Sequence, residues 1–370
     1  MTDASPQTGK PLRVMVAGLG NMGRSHALAY HRNPGFAITG LVNRSPIALP
    51  DELQTCPLLN DFASGLDEFA PDLVCVATYS DSHADYAVAA MERGAHVFVE
   101  KPLATTVADA ERVVAAAKAN GRKLVVGYIL RHHPSWQRLI AEARRLGPPF
   151  VFRMNLNQQS VGATWDVHRH LMESTPPIVD CGVHYVDVMC QITDADPVEV
   201  RGMGVRLSDE ISKDMYNYGH LQVLFADGSV GWYEAAWGPM ISDAAFFVKD
   251  VMSPKGSVSI VMDEGARSDD IDTHTKTARI KVHRAARGPD GCFAAPDEIL
   301  SMTGEPGHQE LCEREQAFVL KAIREDLDLS RHMDDAVTSL KVCLAADESV
   351  RTGLPVRFDR DGNGTGRWVR

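Results

Sequence analysis

Three glycines near the start of the chain constrain its fold more than any other feature. Gly18, Gly20 and Gly23 have the spacing G-x-G-x-x-G, directly after an apolar run and at the start of a stretch with helical period. In that context the first glycine permits a tight turn, the second lets backbone N–H groups approach a pyrophosphate, and the third allows close packing of helix on strand. The helix N-terminus, with Asn21 and Met22 in its first turn, adds partial positive charge. We therefore predict that this segment binds a dinucleotide.

Apolar runs and helical stretches alternate from Leu12 to about Tyr128. Several of the runs, such as the one at Val74, are apolar at successive positions, as in strands that are buried on both faces. The order strand, helix, strand predicts a doubly wound parallel sheet of the Rossmann type. The predicted strands are Leu12–Ala17, Phe36–Val42, Asp72–Ala77, His96–Val99 and Lys123–Val126, and the predicted helices are Met22–His31, Ser82–Arg93 and Val107–Asn120.

The pattern changes after residue 130, where short strands follow one another with little helix between them. The sequences F-A-D-G-S from Phe225 and S-P-K-G-S from Ser253 predict hairpin turns, because Asp-Gly adopts the positive φ values that tight turns need. This half therefore predicts an α+β domain with a large, mostly antiparallel sheet. The predicted strands are Phe150–Gln159, Val198–Leu207, His220–Phe225, Ser229–Trp237, Ala245–Met252, Ser257–Met262 and Thr277–Arg284, and two helices follow at His308–Glu325 and His332–Arg351.

The length of 370 residues fits two domains better than one small core. We assign residues 1–130 to a nucleotide-binding domain, 131–358 to a substrate-binding and oligomerisation domain, and 359–370 to a C-terminal tail. The segments Gly265–Asp272 and Asp359–Gly366 are predicted to be loops.

The net charge limits the kinds of partner that the protein can bind, and the cysteine content indicates its cellular compartment. The formal net charge is −11, and no long basic block offsets it, which argues against nucleic acid or an anionic membrane as the main partner. The seven cysteines include no C-x-x-C pair, so a reducing compartment is the simplest interpretation. The first residues do not resemble a signal peptide, and no apolar run approaches the roughly 20 residues of a membrane span. We expect a cytoplasmic protein whose ligand is a small molecule.

The end of the second predicted strand bears on the choice between NAD and NADP. Asn43 stands where an acidic residue normally binds the adenosine ribose, and Arg44 and Ser45 follow it. Asn43 does not repel a 2′-phosphate, and Arg44 and Ser45 can hydrogen-bond one. The pattern therefore favours NADP slightly, although Asn43 can also bond a ribose hydroxyl and Arg44 can be a solvated loop cation.

Two further motifs give the chain a family resemblance. They are Glu100-Lys101-Pro102 after the strand at 96–99, and D-C-G-V-H from Asp180 to His184. Together with the glycine loop they resemble the Gfo/Idh/MocA family of oxidoreductases, which includes glucose-fructose oxidoreductase and inositol dehydrogenases. The resemblance runs from about residue 12 to 358, and it also includes Thr78, His83 and the stretch around Arg131.

The resemblance implies that Lys101, Asp180 and His184 surround the reacting hydroxyl, with Thr78, His83 and Glu100 near the cofactor. The local chemistry is consistent with this, because residues four apart on a helix that begins near Asp180 share a face. A histidine accepts a proton near neutral pH, and a lysine at a strand's carboxyl end can stabilise developing negative charge.

Other interpretations of these residues stay open. Lys101 can be a solvated cation, His184 can be structural, and Asp180 can simply cap the helix. Asp187 can orient the His184 ring or be a solvated carboxylate.

We predict that Arg131, Trp165 and His168 line the substrate pocket. Trp165, His168 and His170 lie in a predicted loop, and the spacing of these histidines gives little support to a metal site.

The leading hypothesis is an NAD(P)-dependent dehydrogenase or reductase that acts on a secondary hydroxyl or ketone of a sugar, glycoside or cyclitol. The alternatives are a redox-neutral enzyme that retains NAD while it cleaves or epimerises a glycoside, and a non-catalytic nucleotide-binding regulator. The resemblance also implies a homodimer or homotetramer.

Overall fold

The computed structural model describes residues 9–242, 247–262, 277–360 and 366–369. These residues form two compact units. The first unit contains the described residues up to Ile129 together with Gly307–Val337, and the second contains Leu130–Pro306 and the described residues from Thr338 onward. Residues 307–337 thus belong to the first unit, whereas the sequence analysis assigns them to the domain at 131–358. No helix among the described residues is long and apolar enough to cross a membrane.

The first unit is built on a six-stranded sheet in the order β3-β2-β1-β4-β5-β6, in which every neighbouring pair is parallel. This confirms the doubly wound Rossmann-type sheet, and all four residues of β4 are buried, as the apolar run predicts. The elements are β1 Leu12–Ala17, α1 Asn21–Arg32, β2 Phe36–Val42, β3 Leu58–Leu59, α2 Phe62–Phe69, β4 Leu73–Val76, α3 His83–Glu92, β5 His96–Val99, α4 Val107–Asn120, β6 Leu124–Val126 and α9 His308–Arg324.

Local sequence signals fix the ends of α4. Thr106 accepts a hydrogen bond from the Asp109 N–H at its N-terminus, and Gly121 closes its C-terminus with φ +59°. Gly94, just past α3, is likewise left-handed, with φ +86°. Both glycines therefore end helices in the way that the sequence predicts.

The second unit is built on a ten-stranded sheet in the order β14-β13-β12-β11-β7-β10-β9-β8-β15-β16. Neighbouring strands are antiparallel except β7 and β10, which are parallel, so the sheet is mostly antiparallel as predicted. The elements are α5 Pro134–Leu146, β7 Val151–Gln159, α6 Gly162–Leu171, α7 Pro177–Asp180, α8 Gly182–Thr193, β8 Pro197–Val205, β9 Tyr218–Phe225, β10 Val230–Gly238, β11 Lys249–Ser253, β12 Gly256–Val261, β13 Arg279–Arg284, β14 Glu298–Ser301, β15 Val356–Arg360 and β16 Gly366–Val369, with α10 Ser330–Thr352 crossing the boundary between units.

Several sequence-based expectations for this half are wrong in detail. Residues 165–170 lie in α6 rather than in a loop, because Trp165 and His168 give that segment a buried stripe at helical spacing. Residues 359–360 and 366 belong to a terminal hairpin rather than a loop. The strand expected from Ala245 begins at Lys249, and residues 245–246 lie outside the described part of the chain, as does the loop expected at 265–272.

The two faces of the large sheet differ in polarity. Helix α8 packs on β10, whose Tyr233, Ala235 and Trp237 are buried. On β11, by contrast, Asp250 lies opposite Arg153 of β7 and pairs with it, Nη2 to Oδ2, at 2.6 Å. The face under α8 is therefore the one on which buried functional groups can lie.

A buried carboxyl group lies in α9 of the first unit. Glu315 is 1% exposed, and neither of its carboxyl oxygens has a hydrogen-bond partner among the described residues. Burial, and then the negative charge of Glu100, raise the pKa of Glu315 well above its ordinary value. The folded state therefore holds a proton that the unfolded state releases, and stability falls as the pH rises above the ordinary glutamate pKa.

We expect Glu315→Gln to stabilise the protein at alkaline pH, because a neutral amide replaces a carboxyl that resists ionisation. The gain should be largest at pH 8 and should shrink toward pH 5, because the same carboxyl in the unfolded protein also becomes protonated as the pH falls toward the ordinary glutamate pKa. Scanning calorimetry across this pH range measures it. Glu310→Gln, on the exposed side of the same helix, is the matched control. Parallel pH profiles for Glu315→Gln and the unmodified protein would contradict the assignment.

Candidate functional site

The glycine loop leaves no room for side chains at two of its three glycines. Gly18 has φ +86°, and a Cβ there would lie 2.4 Å from the Ala77 carbonyl oxygen. A Cβ at Gly23 would lie 1.9 Å from the Gly18 oxygen. Both positions therefore require glycine for the close strand-to-helix packing that the motif predicts.

Gly20, the middle glycine of the motif, leaves the loop open to a ligand. Gly20 is the exposed N-cap of α1, nothing lies within 4 Å of the position of its Cβ, and no side chain caps the helix there. A Cβ at this position would project into open space beside the first backbone amides of α1. This arrangement fits a pyrophosphate, which the helix N-terminus would bind through N–H groups and partial positive charge.

Asn43 at the end of β2 holds the glycine loop in place. Its Oδ1 accepts a hydrogen bond from the Leu19 N–H at 2.9 Å, and its Nδ2 donates to the Ser45 carbonyl oxygen at 2.7 Å. Arg44 and Ser45 are exposed beside it. The structure thus gives Asn43 a loop-positioning contact that the sequence analysis did not foresee, and its contact with a ribose stays a prediction.

His83 braces the carboxyl ends of β4 and β5. Its ring is buried, with Nδ1 2.8 Å from the Pro102 carbonyl oxygen and Nε2 3.1 Å from the Thr78 carbonyl oxygen. Thr78 also exchanges a 2.7 Å hydrogen bond with the Ser82 hydroxyl. Both residues therefore shape the loops after the two strands, and their contact with a cofactor stays a prediction.

Glu100 positions the backbone of Lys101 through a buried hydrogen-bond network. Oε2 accepts from the Lys101 N–H at 3.1 Å, and Oε1 lies 2.6 Å from His26 Nε2. His26 Nδ1 is in turn 3.0 Å from Gln316 Nε2, which extends the network to α9. Burial alone would raise the pKa of Glu100, but the hydrogen bond and charge of His26 and the charge of Lys101 hold it below its ordinary value.

Lys101 itself is partly exposed after β5. The carboxyl ends of the strands in a doubly wound sheet form the edge where ligands bind. Lys101 and Glu100 stand in a recognisable sequence motif, whereas His26 and Gln316, the partners of Glu100 in this network, are distant in sequence and have no motif of their own.

Asp180 and His184 lie on two consecutive short helices rather than on one. Asp180 ends α7, Cys181 continues in the helical region with φ −89° and ψ −31°, and His184 is in the first turn of α8. Asp180 is 8% exposed and His184 is 6% exposed. The N-cap of α8 is Cys181, so the interpretation of Asp180 as that helix's cap is wrong.

Asp187 fixes Arg131 rather than facing solvent. It is fully buried and accepts hydrogen bonds from Arg131 Nε at 2.9 Å and Nη2 at 2.5 Å, and from Gln191 Nε2 at 2.9 Å. The interpretation of Asp187 as a solvated carboxylate is therefore wrong. Such a bidentate pair orients the guanidinium firmly, and a contact between Arg131 and substrate stays a prediction.

Trp165 and His168 are buried in α6, whereas His170 is exposed. The His168 ring stacks on Trp237 with centroids 4.3 Å apart, and Trp237 Nε1 donates to Gln158 Oε1 at 2.9 Å. Gln158 and Trp237 are not among the pocket residues predicted from the sequence. Alternation along β7 and β10 is the signal that could have placed them on the covered face.

Models of one protein family match most of the chain. The model described as "Oxidoreductase family, NAD-binding Rossmann fold" matches residues 12–128, and the model described as "GFO/IDH/MocA C-terminal domain" matches residues 137–244.

Individual relatives agree with this match. An inositol 2-dehydrogenase from Agrobacterium fabrum is 34% identical over 200 residues, which cover 51% of this chain and 56% of that protein. The chain spans about half the length of the curated relatives it matches.

Solved structures share the fold at low sequence identity. Myo-inositol 2-dehydrogenase from Lactobacillus plantarum has a TM-score of 0.75 at 17% identity, covering 94% of this chain and 99% of that one. GenD2 from gentamicin A biosynthesis, solved in complex with NAD, has a TM-score of 0.74 at 20% identity, covering 97% of this chain and 100% of that one. The glycine loop and the E-K-P motif agree with the two domain matches. The chain therefore belongs to the Gfo/Idh/MocA oxidoreductase family.

Proposed function

We propose that this protein is an NAD(P)-dependent oxidoreductase that acts on a secondary hydroxyl or ketone of a sugar, glycoside or cyclitol. The observation that carries the proposal is the uncapped N-terminus of α1 beside Gly20, in a chain whose relatives include inositol 2-dehydrogenases. The backbone amides of Gly20 to Gly23 would hold the pyrophosphate. When bound, the nicotinamide supplies the acceptor or donor of hydride.

The chain's own residues bind the substrate and move its proton. In the oxidative direction His184 removes the hydroxyl proton, which an imidazole does efficiently near neutral pH. Lys101 donates a hydrogen bond to the same oxygen and stabilises the developing alkoxide. Asp180 binds a neighbouring hydroxyl or holds His184, and Arg131, Trp165 and His168 shape the pocket. A cytoplasmic homodimer or homotetramer is part of the same proposal.

We expect Gly20→Ala to weaken nucleotide binding without unfolding the protein. The new methyl group meets nothing within 4 Å inside the chain, but it occupies the space beside the phosphate-binding amides. The Kd for NAD+ should rise about tenfold, equivalent to about 1.4 kcal/mol. Isothermal titration calorimetry measures it. Gly307→Ala, at the equally open N-cap of α9, is the control. An unchanged Kd would show that the nucleotide binds elsewhere.

We propose that Arg44 gives the protein a slight preference for NADP. Its exposed guanidinium can form charge-assisted hydrogen bonds to a 2′-phosphate. Arg44→Ala should raise the Kd for NADP+ about tenfold and leave the Kd for NAD+ within about twofold, because NAD lacks this phosphate. Arg93→Ala, at another exposed arginine of the first unit, is the control. Equal effects on both nucleotides would reject the preference.

Lys101→Ala should abolish most turnover while nucleotide binding survives. Loss of one hydrogen-bond donor to a developing oxyanion typically lowers kcat about 100- to 1000-fold. Initial rates with the best substrate, beside a nucleotide titration of the same variant, measure this. Lys118→Ala, at an exposed lysine of α4, should behave like the unmodified protein. Normal turnover of Lys101→Ala would remove Lys101 from the mechanism.

Net consumption of added nucleotide also separates a dehydrogenase from a redox-neutral enzyme that retains NAD.

A further inference from the structure

The imidazole of His26 lies at the centre of a buried polar network in the first unit. His26 is in the second turn of α1 and is fully buried. Its Nε2 lies 2.6 Å from Glu100 Oε1, and its Nδ1 lies 3.0 Å from Gln316 Nε2 of α9. Its ring also meets that of Phe98 in β5 edge-on, with centroids 4.7 Å apart. Contacts with β5, with the residue that follows β5 and with α9 therefore fix the ring of His26.

The carboxylate of Glu100 connects His26 to Lys101. Its Oε2 accepts a hydrogen bond from the Lys101 N–H at 3.1 Å, while its Oε1 faces His26. On another side, a Cβ at Gly127, which follows β6, would lie 3.1 Å from Oε1 and 3.2 Å from Oε2, so the carboxylate has little room to shift there. Both oxygens of Glu100 are thus engaged inside the chain. A carboxylate held in this way fixes the backbone of the residue that donates to it.

The helix that carries His26 is also the one that carries the predicted pyrophosphate site. Gly20 is the uncapped N-cap of α1, and Gly23 fixes the start of the helix by packing against the Gly18 carbonyl oxygen. At a rise of about 1.5 Å per residue, His26 lies only about 9 Å along the helix axis from that N-cap. His26 and Glu100 therefore join the nucleotide-binding end of α1 to the backbone of Lys101.

Loss of the His26 ring would leave Glu100 without its nearest partner. Burial alone would raise the pKa of Glu100, whereas the hydrogen bond and the charge of His26, followed by the charge of Lys101, hold that pKa below its ordinary value. Removal of one partner of a buried ion pair leaves an uncompensated charge, which is strongly unfavourable. Glu100 would then take up a proton or turn away from the Lys101 N–H. Either change weakens the backbone contact of Lys101.

We propose that His26 is a positioning residue for the reaction, and that it acts through Glu100 to hold Lys101 at a fixed place relative to the bound nucleotide. This inference rests on the function proposed above, in which Lys101 donates a hydrogen bond to the reacting oxygen. His26 is fully buried, so it has no exposed surface with which to touch the nucleotide or the substrate. A misplacement of about 1 Å at the reacting centre lowers the rate about 100-fold, so loosening Lys101 should act mainly on kcat.

The test compares His26→Leu with His26→Gln, because glutamine retains an N–H donor for Glu100 and leucine does not. Initial rates are measured with myo-inositol and with D-glucose at saturating NAD+ and NADP+, and the Kd of each nucleotide is measured by calorimetry. His26→Leu should lower kcat about 10- to 100-fold and change the Kd values less than about threefold. His26→Gln should recover most of that loss. His31→Leu, at an exposed histidine of the same helix, is the matched control and should behave like the unmodified protein.

A double-mutant cycle determines whether His26 acts through Glu100. Glu100→Gln alone should lower kcat about as much as His26→Leu, and the double variant should be no slower than Glu100→Gln, because both changes remove the same contact. The double variant leaves no buried carboxylate unpaired, so its comparison with Glu100→Gln still tests the proposal when His26→Leu folds poorly. Additive losses, or an unchanged kcat in folded His26→Leu, would overturn the role of His26.

The backbone amide of Lys101 provides a measurement that needs no turnover. Hydrogen exchange of the Lys101 N–H is followed by NMR in protein with isotopically labelled lysine, and its signal is assigned with Lys101→Arg. Exchange should be about tenfold faster in His26→Leu and unchanged in His31→Leu. Absence of oxidation in every arm would overturn the proposed function instead. The exchange rates would still decide the role of His26, because equal rates in His26→Leu and the unmodified protein would overturn it.

Discussion

The close approach of two backbone segments at the first turn is the constraint on which the nucleotide-binding unit depends. Helix α1 can start where it does only because Gly23 packs directly against the Gly18 carbonyl oxygen, where a Cβ would lie 1.9 Å away. That contact fixes the helix N-terminus at the carboxyl end of β1. A fixed and uncapped helix N-terminus provides anion-binding amides at no further conformational cost.

Buried polar groups hold the loops at the carboxyl ends of the strands in the first unit. Asn43 binds the glycine loop, His83 bridges the loops after β4 and β5, and Glu100 binds the Lys101 N–H from a network that reaches His26. Each contact replaces water with a fixed partner inside the chain. Sites supported in this way are held in place before a ligand arrives, which lowers the entropy lost on binding.

The sequence predicted local features well and long-range partners poorly. The glycine motif and the capping residues of α4 are short local signals, so the predicted ends of β1, α1 and α4 lie close to the observed ends. The partners of Glu100, by contrast, are His26 and, through it, Gln316, which lie 74 and 216 residues away in sequence. The sequence predicts a loop at residues 165–170, whereas the structure has α6 there, with Trp165 and His168 buried on one side of the helix.

In the second unit, too, the surroundings of the candidate catalytic residues could not be predicted from the sequence. Asp180 and His184 are visible in the sequence as a motif, but the break between α7 and α8 is not, and neither is the burial of Asp187 against Arg131. A buried charge is recognised only when its surroundings are known, because the sequence does not show which side chains lie near it.

A spectrophotometric screen of the unmodified protein tests the central claim most directly. Sugars, sugar acids, glycosides and inositols are each offered with NAD+ and with NADP+, and nucleotide reduction is followed together with the appearance of a ketone product. The account predicts stoichiometric reduction of one nucleotide with at least one member of the panel. Tight nucleotide binding without reduction across the whole panel would contradict it.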